Sequence, residues 1–158
     1  MRSVDRVRDY FTQLGEDVKV RELSASTRTA QMAADAVGTA LGSIVKSLIF
    51  IMDDDRTVLA LVAGDQRADS EKIAQCLGAQ SVRMAKGEEV RTRTTYAIGG
   101  VPPVAHVTPM ETLIDRTLLR FETVWAAAGA PNALFEIDTQ KLLRLTQGRV
   151  EDIVTTGN

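Results

Sequence analysis

Apolar residues Val4, Val7, Tyr10, Phe11 and Leu14 recur at spacings of three and four, which predicts an amphipathic helix stopped by Gly15. From Val18 to Leu23 apolar and polar residues roughly alternate, as in a half-buried strand. Ser24 to Thr29 is rich in hydroxyls, any of several able to cap a helix from about Thr29 to Val37. Ala30, Ala33, Ala34 and Val37 give that helix a small-residue face, and Gly38 ends it. The most apolar run, Ile44 to Met52, reads as a buried strand. A polar turn, Asp53 to Arg56, returns the chain into a second strand, Thr57 to Ala63, so the two form a hairpin.

Asp65 to Asp69 is a charged loop, and Ser70 is placed to cap a helix running to Leu77, with Gly78 behind it. Ser81 to Met84 reads as a short strand and Gly87 to Arg93 as a short helix. Further on, Val104–Val107 and Thr112–Asp115 are expected strands, and Thr117–Phe121 a helical turn. The stretch Thr123 to Ala128 leads into a turn at Gly129-Ala130-Pro131-Asn132. Ala133 to Ile137 is a strand, Asp138 caps a last helix carrying Leu142, Leu143 and Leu145, and Val150 to Val154 adds a final strand before a frayed tail from Thr155. Without strict β–α alternation, this order predicts one α+β domain over residues 1–158 with a mixed, mostly antiparallel sheet.

Composition narrows the function classes. With 158 residues, 44% hydrophobic and only 4% aromatic, the chain builds its core from Ala, Val, Leu and Ile. The net charge of −2 argues against tight non-specific binding to long nucleic acid, and DNA is not an expected partner. Arg83, Lys86, Arg91 and Arg93 are the nearest approach to a basic cluster, which a solvated helix face explains equally well. One cysteine, Cys76, permits no internal disulfide and reads as a small buried hydrophobe. No Cys/His cluster suggests a metal, and no cofactor is expected. The first residues lack the apolar core of a signal peptide and no run has the length of a membrane span, so the expectation is a cytoplasmic protein with no membrane partner.

Two features depart from a plain core. Lys46 interrupts the apolar strand, although burying an unpaired ammonium is costly; its amine either reaches water at the strand's mouth or serves a ligand. Tyr96-Ala97-Ile98-Gly99-Gly100-Val101-Pro102-Pro103 sets two glycines before two prolines, one residue between. The glycines leave bare, approachable backbone and the prolines stiffen it, so the segment is either a tight turn or a loop aiming N–H groups at a ligand.

Thr27 ahead of an Ala-rich helix, Lys46 at the head of the apolar strand, and the Tyr96–Pro103 segment occur in this order. With Ile114-Asp115 and the Gly129 turn downstream, the chain resembles the YbaK / prolyl-tRNA synthetase-associated domain family from about Val4 to Ile153. These are trans-acting relatives of the bacterial prolyl-tRNA synthetase editing domain. The resemblance implies a sheet curled into a partial barrel with flanking helices, and hydrolysis of the ester of a mischarged tRNA carrying a small amino acid, on tRNA-Pro or a related tRNA. The family's Gly-x-x-x-Pro loop matches Gly99 through Pro103, so Gly99, Gly100, Val101 and Pro103 are implied to hold the ester carbonyl, with Lys46 as the essential cation. Thr27, Asp115 and Gly129 match substrate-side positions. His106, three residues beyond Pro103, is a further substrate-side candidate, against which stands a structural role. Family members with a histidine on the late turn have no counterpart in Gly129-Ala130-Pro131-Asn132. The implied partners are an aminoacylated tRNA acceptor end and a synthetase, with the chain a monomer or homodimer. The competing expectation is a binding module for aminoacylated ends, a nucleotide or a synthetase, without turnover.

Overall fold

The computed structural model describes residues 1–155, so Thr156–Asn158 of the expected frayed tail lie outside the described residues. Eight strands, β1 (Val20–Glu22), β2 (Ile44–Met52), β3 (Thr57–Ala63), β4 (Val82–Met84), β5 (Glu111–Asp115), β6 (Thr123–Ala127), β7 (Ala133–Asp138) and β8 (Arg149–Glu151), form one mixed sheet. Five helices accompany them among the described residues: α1 (Ser3–Gln13), α2 (Ala30–Val37), α3 (Ser70–Leu77), α4 (Gly87–Thr94) and α5 (Thr139–Thr146). The strand order is β1-β7-β6-β2-β3-β5-β8, with β4 paired to β2 off this path; the sheet is open, since β1 and β8 do not meet. The β2–β3 hairpin is antiparallel, whereas β2–β6, β3–β5 and β5–β8 are parallel.

Alternation along the long central strand explains why both faces of the sheet are covered. Val45, Ile49 and Ile51 of β2 join Val7 and Phe11 of α1, Tyr96, Val101 and Leu142 in the largest core. Phe50 and Met52 face the other way, with Ile73 of α3 and Ile153. Ile44 meets Ala33 and Ala34 of α2, with Trp125 and Leu134, so the small alanine face lets α2 lie close.

Several local expectations are corrected. Val104–Val107 forms no strand; two prolines precede it, Ala105 has φ 66°, and the segment passes as a loop. Asp69, not Ser70, caps α3, its carboxylate accepting from the N–H groups of Glu71 and Lys72 at 3.0 and 3.2 Å. The last strand is Arg149–Glu151 rather than Val150–Val154; Val154 contributes only an isolated antiparallel bridge to Ala68. The Val18–Leu23 strand shortens to β1, because its pairing with β7 covers only Val20 to Glu22.

Candidate functional site

The Gly-rich segment begins as a turn. Gly100 N–H donates to Ala97 O at 2.9 Å, and Gly99, third in that turn, has φ +85°. A positive φ at this position is the type II signature, open to glycine at no steric cost. Gly100 itself is required by closeness: an added Cβ would meet Ala130 Cα, C and N at 2.8, 2.9 and 2.9 Å. Gly129 N–H donates to Gly100 O at 2.9 Å, so the loop is fastened edge-on to the Gly129–Asn132 turn.

The same turn fastens Thr27. Its N–H and its hydroxyl both donate to Pro131 O, at 2.6 and 2.8 Å. Leu23 and Asn132 exchange two more hydrogen bonds. One late turn therefore sets the distance between the strand-to-α2 connection and the glycine loop, segments more than 70 residues apart in sequence.

Lys46 is half-buried, and Nζ donates to Gln66 O at 2.5 Å. Burial pulls its pKa below the usual lysine range, while Asp115 and Asp65 act in the opposite sense. Asp115 is fully buried; its carboxylate accepts from Ala63 N–H, Thr117 N–H and the Thr117 hydroxyl at 3.0, 2.9 and 2.8 Å. Asp65 is engaged by Arg120 at 2.8 and 3.0 Å. The ammonium is thus held among carboxylates already satisfied by other donors.

A cavity of about 330 Å³ gathers Thr27, Lys46, Gly99 and Val101, with Arg28 and Ser47 beside them. Its walls are otherwise chiefly apolar, including Ala33, Val45 and Leu134, and no Asp, Glu, His or Cys lines it. Among the described residues, the N–H groups of Gly99 and Val101 have no acceptor, whereas that of Gly100 is spent in the turn. Gly100, Pro103, Asp115, His106 and Gly129 are outside the lining. Asp115 is close enough to Lys46 to favour its charge, and Gly100 and Gly129 are joined to each other by a main-chain hydrogen bond. His106 braces the loop from behind. Its Nε2 lies 2.7 Å from Pro102 O, so Nε2 carries the proton, and the ring packs edge-on to Tyr96 at 5.4 Å. Its Nδ1 is buried without a partner, and burial lowers its pKa, with the Pro102 carbonyl acting in the opposite sense.

Arg28, Ser47 and Ile98 were not singled out from sequence, although each adjoins a residue that was. Arg28 crosses the loop where Gly99 lacks a side chain: a Cβ there would meet its Cγ at 2.8 Å. Of the basic cluster noted from sequence, Arg83 pairs with Glu89 and Arg93 with Asp55.

The profile of the aminoacyl-tRNA editing domain matches residues 24–145, the span holding every cavity residue. The chain belongs to the aminoacyl-tRNA editing domain family. It is 34% identical over 148 residues to the uncharacterized protein YwhH of Bacillus subtilis strain 168, covering 94% of both chains. It is 25% identical over 127 residues to EbsC of Enterococcus faecalis, provisionally named a Cys-tRNA(Pro)/Cys-tRNA(Cys) deacylase, covering 80% of this chain and 77% of that one. A crystal structure of a provisional trans-editing enzyme for prolyl-tRNA synthetase superposes with a TM-score of 0.91 at 44% identity, covering 99% of each chain. Among the described residues no helix is long and apolar enough to cross a membrane.

Proposed function

We propose that this editing-family protein is a trans-acting deacylase that hydrolyses the ester joining a small amino acid to the terminal ribose of a mischarged tRNA. The observation that carries the reading is the meeting of Lys46, Thr27, Gly99 and Val101 around one cavity of about 330 Å³. The relatives named as a Cys-tRNA deacylase and a prolyl-tRNA synthetase trans-editing enzyme support it, and tRNA-Pro or a related tRNA is the proposed carrier.

An aminoacyl ester is already activated, so its hydrolysis needs positioning and oxyanion stabilisation more than a protein nucleophile. Water adds to the acyl carbon, the carbonyl oxygen takes up negative charge, and collapse releases the amino acid and the ribose hydroxyl, which receives a proton. The free N–H groups of Gly99 and Val101 are the donors for the developing oxyanion, where a single such donor is worth roughly 3–4 kcal/mol. No Asp, Glu, His or Cys lines the cavity, so on this reading the neighbouring ribose hydroxyl helps activate the water. Lys46 holds a phosphate or ribose oxygen as a cation.

The lack of a lining carboxylate, histidine or cysteine favours one second reading, a module that binds aminoacylated ends without turnover. Incubating the protein with tRNAs charged with Ala, Ser, Cys or Thr, beside Lys46→Ala and Cys76→Ala, separates the two. The deacylase reading expects Lys46-dependent loss of one or a few esters and undiminished turnover in Cys76→Ala. Retention of every ester, with binding, establishes the module instead.

A further inference from the structure

The central strand β2 has a break along one edge, and the cavity opens at it. Gly64 N–H donates to Ile44 O at 2.7 Å, which fixes the phase of the β2–β3 ladder. Ile44, Lys46, Leu48 and Phe50 turn their main-chain groups toward β3, and Val45, Ser47 and Ile49 turn theirs to the opposite edge. There, β6 pairs with β2 only as far as Val45, opposite Ala126. The β4 ladder begins at Phe50, opposite Met84, with Ala85 N–H reaching back to Ile49 O at 2.9 Å. Between them Ser47 presents one N–H and one C=O with no strand opposite, and Ile44 to Leu48 all line the cavity.

We infer that the substrate's aminoacyl group docks in this break as a one-residue antiparallel strand against Ser47. In an antiparallel hydrogen-bonded pair, two facing residues exchange both of their main-chain bonds. An α-aminoacyl ester carries the matching pair on one carbon. Its ammonium donates to Ser47 O and its acyl carbonyl accepts from Ser47 N–H. The carbonyl's second lone pair is left for an N–H of the glycine loop across the cavity. The amino acid's side chain then falls on the same face as that of Ser47, next to Val45 and Val101, both lining residues. Ser47 is therefore a positioning residue through its main chain, and the site selects esters with a free α-amino group over N-acylated ones. This inference rests on the deacylase reading above, and it adds the selecting feature of the substrate and the groups that read it.

The test compares three esters on one tRNA: the aminoacyl ester turned over fastest, its α-hydroxy acid analogue and its N-acetyl derivative. The α-hydroxy ester is expected to lose about tenfold or more in kcat/KM, the scale of one charge-assisted hydrogen bond, and the N-acetyl ester more. Ser47→Pro removes the N–H facing the break without breaking a β2–β3 bond, a place where an edge strand tolerates proline. Measured against Ser47→Ala, which shares the lost hydroxyl, Ser47→Pro is expected to be slower by a further tenfold or so, with an unchanged melting transition. Equal turnover of the three esters, or a folded Ser47→Pro as active as Ser47→Ala, overturns the inference. If no ester is hydrolysed, the deacylase reading fails by itself. Docking is then read from the Ser47 amide NMR resonance on adding a 3′-aminoacylamino-adenosine: a shift supports docking, and an unmoved resonance with bound ligand refutes it.

Discussion

Gly100→Ala tests whether the glycine loop is held by contact rather than by backbone conformation. Gly100 has no positive φ, so alanine carries no conformational penalty there. The new Cβ would stand 2.8–2.9 Å from three main-chain atoms of Ala130, closer than side chains approach backbone. Ala130 cannot swing aside as a side chain would, because the turn around it is bonded to Gly100, Thr27 and Leu23. Overpacking of this kind costs about 1–3 kcal/mol, against which the reduced entropy of the unfolded chain returns about 0.5 kcal/mol. The expected net loss is about 1.5 kcal/mol, or a Tm lower by roughly 3–6 °C for a chain of this size. Thermal unfolding followed by circular dichroism measures it, with Gly87→Ala as reference, since a Cβ at Gly87 meets nothing within 4 Å and φ there is ordinary. Deacylation should fall with stability, because the displaced turn also carries the acceptor of Thr27. A Tm for Gly100→Ala within 1 °C of Gly87→Ala would refute the docking argument.

Other consequences follow from the same geometry. Lys46→Ala should abolish most turnover while the melting curve stays cooperative, and unchanged kinetics would remove the cation from the mechanism. Asp115→Ala strands the Ala63 and Thr117 N–H groups in a buried place and should cost about 3 kcal/mol in urea unfolding. Thr27→Val loses one neutral hydrogen bond to Pro131 while the Thr27 N–H remains on it, so about 1 kcal/mol is expected, by the same measurement. His106 has its folded pKa depressed by burial, so the unfolded chain binds its proton more readily. Its stabilising neutral state is complete above the ordinary histidine pKa of about 6.5 and is lost as pH falls toward the lower folded value. Stability should therefore drop as pH falls below about 6.5, and the drop should be shallower in His106→Gln.

Much of the fold could be read along the chain, because periodicity is a local property. The helix through Val7 and Phe11, the β2–β3 hairpin and the Asp138 cap lie where spacing and capping chemistry put them, and of the hydroxyls open to cap α2 the structure uses Thr29. Asp69 displaced Ser70 as a cap because both residues can cap and only the chain's path decides which oxygen faces the helix N-terminus. Val104–Val107 has strand composition but no strand beside it, and a strand exists only as a pair. In the same way, the sequence named Lys46, Thr27 and the glycine loop as one set through family resemblance. It had no means of separating the cavity wall, Thr27, Lys46, Gly99 and Val101, from the residues outside it, Gly100, Pro103, Asp115, His106 and Gly129. That division depends on which side of each backbone faces the cavity. The break opposite Ser47 is hidden from sequence for a similar reason: it is set by where two other strands, β6 and β4, stop and start against β2. Residue order determined the elements and the reactive groups they carry. Long-range strand pairing and the docking of the Gly129–Asn132 turn decided which of those groups share one space.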